Sequence, residues 1–221
     1  MKGSLLVILW LIVFFTANYF ICKSYGINKP ILITIFVWSF LMIFVGIFEM
    51  MLLFNMNYLE NKSKYYYTDN KCYWNDNVSI SDALSYKMYM DLYADYSLSD
   101  KRYGQNISTN EGCRFVMIGE IVHGIFCFIM SFIIMYFFFI DYNKLSIYIS
   151  SIIFMGIQFA LIVWYLVSVF IEMIYVKNES FWWPPLLWNL PWVIVPIYII
   201  YGSNTEIMNI CCFDKSPNKT L

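Results

Sequence analysis

Charge is what this sequence has least of. Asp, Glu, Lys and Arg make up 13% of its 221 residues, the net charge is −1, and there is a single histidine. No basic cluster is present, so neither nucleic acid nor capture of an anionic lipid headgroup is expected. There is no glycine-rich phosphate loop, nucleotide fingerprint or nucleophile elbow. One histidine and scattered cysteines supply no zinc-type spacing, so no metal and no cofactor is implied. Internal repeats and low-complexity linkers are also missing, which leaves one domain.

What fills the chain instead is apolar: 61% of it is hydrophobic and 21% aromatic. A soluble core of this length cannot hold that much apolar surface, so the class is integral membrane protein. Nearly uncharged runs occupy 4–22, 31–56, 115–140, 145–176 and 181–201, each reaching the ~20 residues a spanning helix requires. The first lacks a small-residue cleavage site before Cys22 and reads as an uncleaved anchor. The expectation is an all-α membrane protein of five transmembrane helices in a bundle. Residues 1–30 form an anchor and connector, 31–201 a four-helix membrane domain with one long loop at 57–113, and 202–221 a tail. Pro184, Pro185, Pro191 and Pro196 predict a kinked or irregular last helix, tolerated where neighbours satisfy the freed carbonyls.

Within the long loop, Ser81 to Tyr96 predicts an amphipathic helix capped by Ser81 or Asp82. Sequons stand at Asn61, Asn77, Asn106 and, in a later connector on the same face, Asn178. Cys72 and Cys113 are the only cysteines on that face, and a disulfide between them would suit an oxidising lumen. Lys23, Lys29, Lys144, Lys215 and Lys219 collect on the other face, which suits the cytosol. The amino terminus is therefore expected in the lumen and the carboxyl terminus in the cytosol. Cys211-Cys212 beyond the last helix offers a site for palmitoylation.

Polar residues interrupt the apolar helices at one depth. At 1.5 Å rise per residue, Glu49 lies about 10 Å in from the loop face, Glu120 about 8 Å, His123 and Asn189 about 12 Å, and Glu172 about 6 Å. Glu120 and His123, spaced i and i+3, share a helix face. Ionisable residues inside a membrane helix are costly and mark functional sites by default. Two carboxylates, an imidazole and an amide in one low-dielectric layer suit proton transfer, one carboxyl holding a proton while the other accepts one. The plainer alternative is that these groups only hydrogen-bond helices together. Phe181, Trp182, Trp183, Trp188 and Trp192 either form an interfacial belt or, at Trp192, turn an indole face toward a cation in the same layer.

Three stretches carry a family likeness. Leu92 to Tyr103 (LYADYSLSDKRY) matches LWKEYxxxDxRY without a gap. Glu120 begins a segment like E-x-[IL]-T, and Asn189-Leu190-Pro191-Trp192 with Pro196 matches N-x-x-W-x-x-x-P. On these residues the chain, over roughly 31–201, resembles the emopamil-binding protein family, the sterol isomerases of the EXPERA superfamily. The resemblance implies a shift of a sterol ring double bond from the eighth to the seventh position, by proton addition, a carbocation and proton removal. It implies Glu49 and Glu120 as acid and base, Trp192 as the indole facing the cation and Asn189 as its polar neighbour; Glu172 of the polar layer and Trp188 of the aromatic run are, apart from the resemblance, further candidate substrate-binding residues.

The sequence departs from the family at two positions. Val45 stands where the family has a histidine four residues before its glutamate, and His123 stands where the family has threonine. His123 either restores the missing imidazole from the third helix or is an incidental packing residue. Residues 60–89 read as an insertion. The resemblance further implies an endoplasmic-reticulum membrane location and a sterol or a cationic amphiphile as ligand; a homodimer is compatible with it. A non-catalytic sterol-binding or lipid-regulating protein and a purely structural multi-span protein are the alternatives.

Overall fold

The computed structural model describes residues 2–213 apart from 84, 99, 141–142 and 177–182, and no side chains at 75, 83, 172–188 and 213. Among the described residues the regular structure is all helical, without a strand. The first apolar run forms α1, Gly3–Ser24. It ends in a Schellman turn: Gly26 takes φ +70°, its N–H bonds the Lys23 carbonyl, and the Ile27 N–H bonds the Cys22 carbonyl at 2.9 Å. Glycine adopts that left-handed backbone without the penalty a Cβ would bring. Pro30 then opens α2, Pro30–Thr68, at the first helical position, where its missing N–H costs nothing.

α2 is longer than its apolar run. Charged and polar residues end the hydrophobic stretch at 56 but not the helix, which continues to Thr68 with non-helical dihedrals at Asn55. The Asn55 side chain bonds back to the Met51 carbonyl at 2.8 Å, competing with the backbone ladder at the bend. The extension past the bend packs against the loop through Leu59 and Tyr66, both fully buried. The expected Ser81–Tyr96 helix is divided into α3, Ile80–Ala83, and α4, Tyr86–Tyr96. Ser85, not Ser81 or Asp82, caps α4 by accepting from the Lys87 N–H.

α5, Glu111–Phe139, starts at an Asn110 cap that accepts from Gly112 and Cys113. α6 runs Lys144–Val176 and α7 Trp183–Phe213, and the helix continues through Pro191 and Pro196. Among the described residues, four helices are long and apolar enough to cross a membrane: Gly3–Ser24, Pro30–Thr68, Glu111–Phe139 and Lys144–Ile171. The chain is thus an all-helical protein with the makings of a membrane bundle.

α2 is the centre of it. More than half of its most apolar window is buried, against a third for α5 and less for α1 and α6. Its partner is α5, and the two backbones touch: a Cβ on Gly46 would lie 2.6 Å from the Gly124 carbonyl, and one on Gly124 only 2.7 Å from Glu49 Cβ. Small residues permit this approach inside a bilayer, where packing rather than water drives association. On either side of the contact lie two buried apolar clusters. One gathers Ile35, Phe36, Met42, Ile134 and Phe154; the other gathers Leu52, Leu59, Met90, Tyr103 and Met117.

The amino terminus shares a face with the long loop, since the Gly3 N–H bonds the Asp76 carbonyl and Lys2 bridges Asn77. At the opposite end Lys29 pairs with Glu206 of α7 at 2.5 Å. Cys72 and Cys113 do not form a disulfide: Cys113 is buried in the first turn of α5, its Sγ 3.1 Å from the Gln105 carbonyl.

Candidate functional site

Close contact at Gly46 and Gly124 brings the adjoining turns of α2 and α5 within side-chain reach of each other. Glu49, 4% exposed, projects from α2 toward α5. His123 meets it, with Nδ1 2.8 Å from Glu49 Oε2. Glu120 lies one turn earlier on α5, and Glu49, Glu120 and His123 each offer a ligand atom within 4.8 Å of the others. The three residues expected at one depth are therefore direct neighbours in one layer.

The loop completes the layer. Tyr93 donates to Glu120 Oε2 at 2.5 Å and Tyr103 to Glu120 Oε1 at 2.9 Å. Tyr89 makes a longer contact of 3.5 Å with Glu49 Oε1. Burial, and next the Glu120 carboxylate, push the hydroxyls of Tyr93 and Tyr103 well above the usual tyrosine range, so both stay donors. α4 and the turn at Lys101–Tyr103 deliver them. Asp100 caps that turn, accepting from the Arg102 N–H and forming an ion pair with the Arg102 guanidinium at 2.7 Å.

A second chain of contacts runs from this turn to the last two helices. Tyr165 of α6 donates to Asp100 at 3.2 Å, its oxygen lies 2.5 Å from that of Tyr96, and Asn189 of α7 donates to Tyr96 at 3.1 Å. Asn189 is thus bound to the loop rather than to either glutamate. A third chain leads from the imidazole: Cys127 Sγ is 3.2 Å from His123 Nε2, Gln158 donates to Cys127 at 3.3 Å, and Trp38 donates to Gln158 at 3.2 Å. The Trp38 ring meets Trp192 edge to face at 5.2 Å. Trp192 therefore joins the layer through three intermediates.

The side chains of Glu172 and Trp188, and residue Asn178, lie outside the described residues. Asn61, Asn77 and Asn106 are exposed, Asn106 with φ +62°. The hydroxyl of Ser108, third residue of the Asn106 sequon, donates to buried Glu60 at 2.9 Å. Residue-by-residue reading missed Tyr89, Tyr93, Tyr103, Cys127 and Gln158. Tyr93 and Tyr103 lie within the loop segment that carries the family likeness, and Cys127 follows His123 at i+4.

An open, apolar groove of about 350 Å³ lies between α6 and α7, lined by Ile152, Phe159, Ile197, Ile200, Tyr201 and Asn204. It has no glutamate or histidine in its wall, so the chemistry of the layer does not belong to it. Comparison with known proteins finds no matching family model, no matching curated protein and no matching solved structure.

Proposed function

We propose that the chain is a sterol isomerase-like membrane protein that moves a ring double bond from the eighth to the seventh position. The observation that carries this reading is the meeting of Glu49, Glu120 and His123 in one buried layer at the contact of α2 and α5. One carboxyl delivers a proton to a ring carbon, and a carbocation forms. The other group takes the neighbouring proton, which restores the double bond one position along. His123, bonded to Glu49 across the helix contact, supplies the imidazole that Val45 does not. Tyr93 and Tyr103 hold Glu120 in place. In this reading α7 is a fifth span, the long loop is lumenal and the membrane is that of the endoplasmic reticulum.

A second reading rests on a specific feature. All four carboxylate oxygens of the two glutamates already have a partner from a tyrosine or His123. A site satisfied in this way also suits a protein that binds a sterol or a cationic amphiphile without turning it over. Expression in cells lacking their own sterol isomerase separates the two. A fall in the ratio of eighth- to seventh-position sterols supports the enzyme; an unchanged ratio, with the protein in the membrane, leaves the binding reading.

A further inference from the structure

Glu120-Ile121-Val122-His123 places a carboxylate and an imidazole on one helix face at i and i+3. Helical bundles that bind a pair of iron or manganese ions use the same Glu-x-x-His spacing on each of two helices, with a glutamate from each of two others; half of that set is one Glu-x-x-His and one further glutamate. Here α2 supplies that glutamate. We propose that Glu49, Glu120 and His123 form a binding site for one divalent first-row transition-metal ion.

The geometry is close to what an ion requires. Donors bound at 2.0–2.2 Å stand at most about 4.4 Å apart. The three ligand atoms lie within 4.8 Å of one another, so side-chain rotations of about half an ångström bring them into range. The backbone contact at Gly46 and Gly124 keeps α2 and α5 at this separation. One imidazole with two carboxylates suits Mn²⁺, Fe²⁺ or Zn²⁺ better than the thiolate-preferring Cu⁺ or the all-oxygen sites of Ca²⁺.

The surroundings are those of a metal site as well. A ligating histidine ordinarily engages a partner through its second nitrogen, and ligating carboxylates are themselves hydrogen-bonded. His123 turns Nδ1 to Glu49 and has Cys127 Sγ 3.2 Å from Nε2, with Gln158 in turn bonded to Cys127. Tyr93 and Tyr103 anchor Glu120. Charge points the same way. Among the described residues His123 is the only basic group paired with either glutamate, while the partners of Glu120 are neutral hydroxyls. Two ionised carboxylates in a low-dielectric layer need more positive charge than one imidazole provides; the layer is neutralised either by a proton on one carboxyl, as in the isomerase reading, or by a divalent ion in that proton's place.

The metal site depends on the three side chains and not on the sterol reading, and protons and metal would compete for the same donors. The test uses the full-length protein purified in detergent, stripped with a chelator and equilibrated with Co²⁺. Bound cobalt is counted by elemental analysis, and its visible absorption reports the ligand set. One Co²⁺ per chain is expected, bound at least ~100-fold more weakly by Glu49→Gln, Glu120→Gln and His123→Ala, and ~10-fold more weakly by Tyr93→Phe, which removes only a bond to a ligand. Glu206→Gln at the far end of the bundle should bind as the wild type does. Wild-type protein that takes up no Co²⁺, or a His123→Ala protein that elutes normally and binds it unchanged, overturns the proposal. Should His123→Ala not fold, undiminished affinity in Tyr93→Phe and Glu120→Gln overturns it equally. A chain that binds Co²⁺ but leaves the sterol ratio unchanged contradicts the isomerase reading alone.

Discussion

His123 Nδ1 lies 2.8 Å from Glu49 Oε2, joining α5 to α2 through a buried side-chain pair. Removing one partner of a buried pair leaves the other without compensation. His123→Ala should therefore cost about 3 kcal/mol of stability. It should also abolish any change in the sterol ratio. Thermal unfolding in detergent and the complementation assay check the two effects, and full activity in the variant would make the imidazole incidental.

Glycine contacts set the spacing of the site. Gly124→Ala puts a methyl group 2.7 Å from Glu49 Cβ, and Gly46→Ala puts one 2.6 Å from a backbone carbonyl that cannot move aside. Each should lower stability by roughly 1–3 kcal/mol and disturb the Glu49–His123 bond. Nothing lies within 4 Å of the corresponding positions on Gly119 and Gly156. Alanine there should leave the unfolding midpoint nearly unchanged, and equal losses at all four glycines would contradict the packing account.

The loop tyrosines are positioning residues. Tyr93→Phe and Tyr103→Phe each remove one donor to Glu120 and leave an oxygen unsatisfied, at about 1–3 kcal/mol apiece. The double variant should reduce turnover by more than the product of the single effects, because the second loss frees the carboxylate to turn. Turnover of the three variants, measured beside wild type in the same membranes, decides this.

Asp95 provides a pH test outside the bundle. Burial raises its carboxyl above the usual range, although the Tyr73 N–H donates to it at 2.8 Å. A folded-state value above the unfolded one means that the stability this group contributes is present at low pH and is lost as pH rises through the folded value. Asp95→Asn keeps an acceptor for Tyr73 but carries no charge. The variant should be more stable than wild type at neutral pH, with the difference closing as pH falls into the ordinary aspartate range. A constant difference across pH would contradict the burial argument.

Particular residues show what the sequence made legible. Glu49, Glu120 and His123 could be brought together on paper because a helix rises by a fixed amount per residue and the helices alternate in direction. Pro30 likewise marked the start of α2. The polar stretch after 56 reads as the end of a helix, because an apolar run reports burial in lipid and not helicity; Leu59 and Tyr66 continue α2 by packing on the loop. Placing Tyr93 and Tyr103 on Glu120 needs the path of the loop back over the bundle, which no local pattern specifies. Two cysteines on one face do not fix where each sulfur points: Cys113 Sγ turns to the Gln105 carbonyl and not to Cys72.

The most direct test of proton transfer at the paired glutamates is isotopic. Membranes containing the wild-type chain, incubated in deuterated water with an eighth-position sterol, should yield a seventh-position product carrying one deuterium, since the proton added comes from an exchangeable group and a different one leaves. Glu49→Gln and Glu120→Gln membranes with equal protein should yield none. Undeuterated product from the wild type, or deuterated product formed equally by either variant, would contradict the central claim.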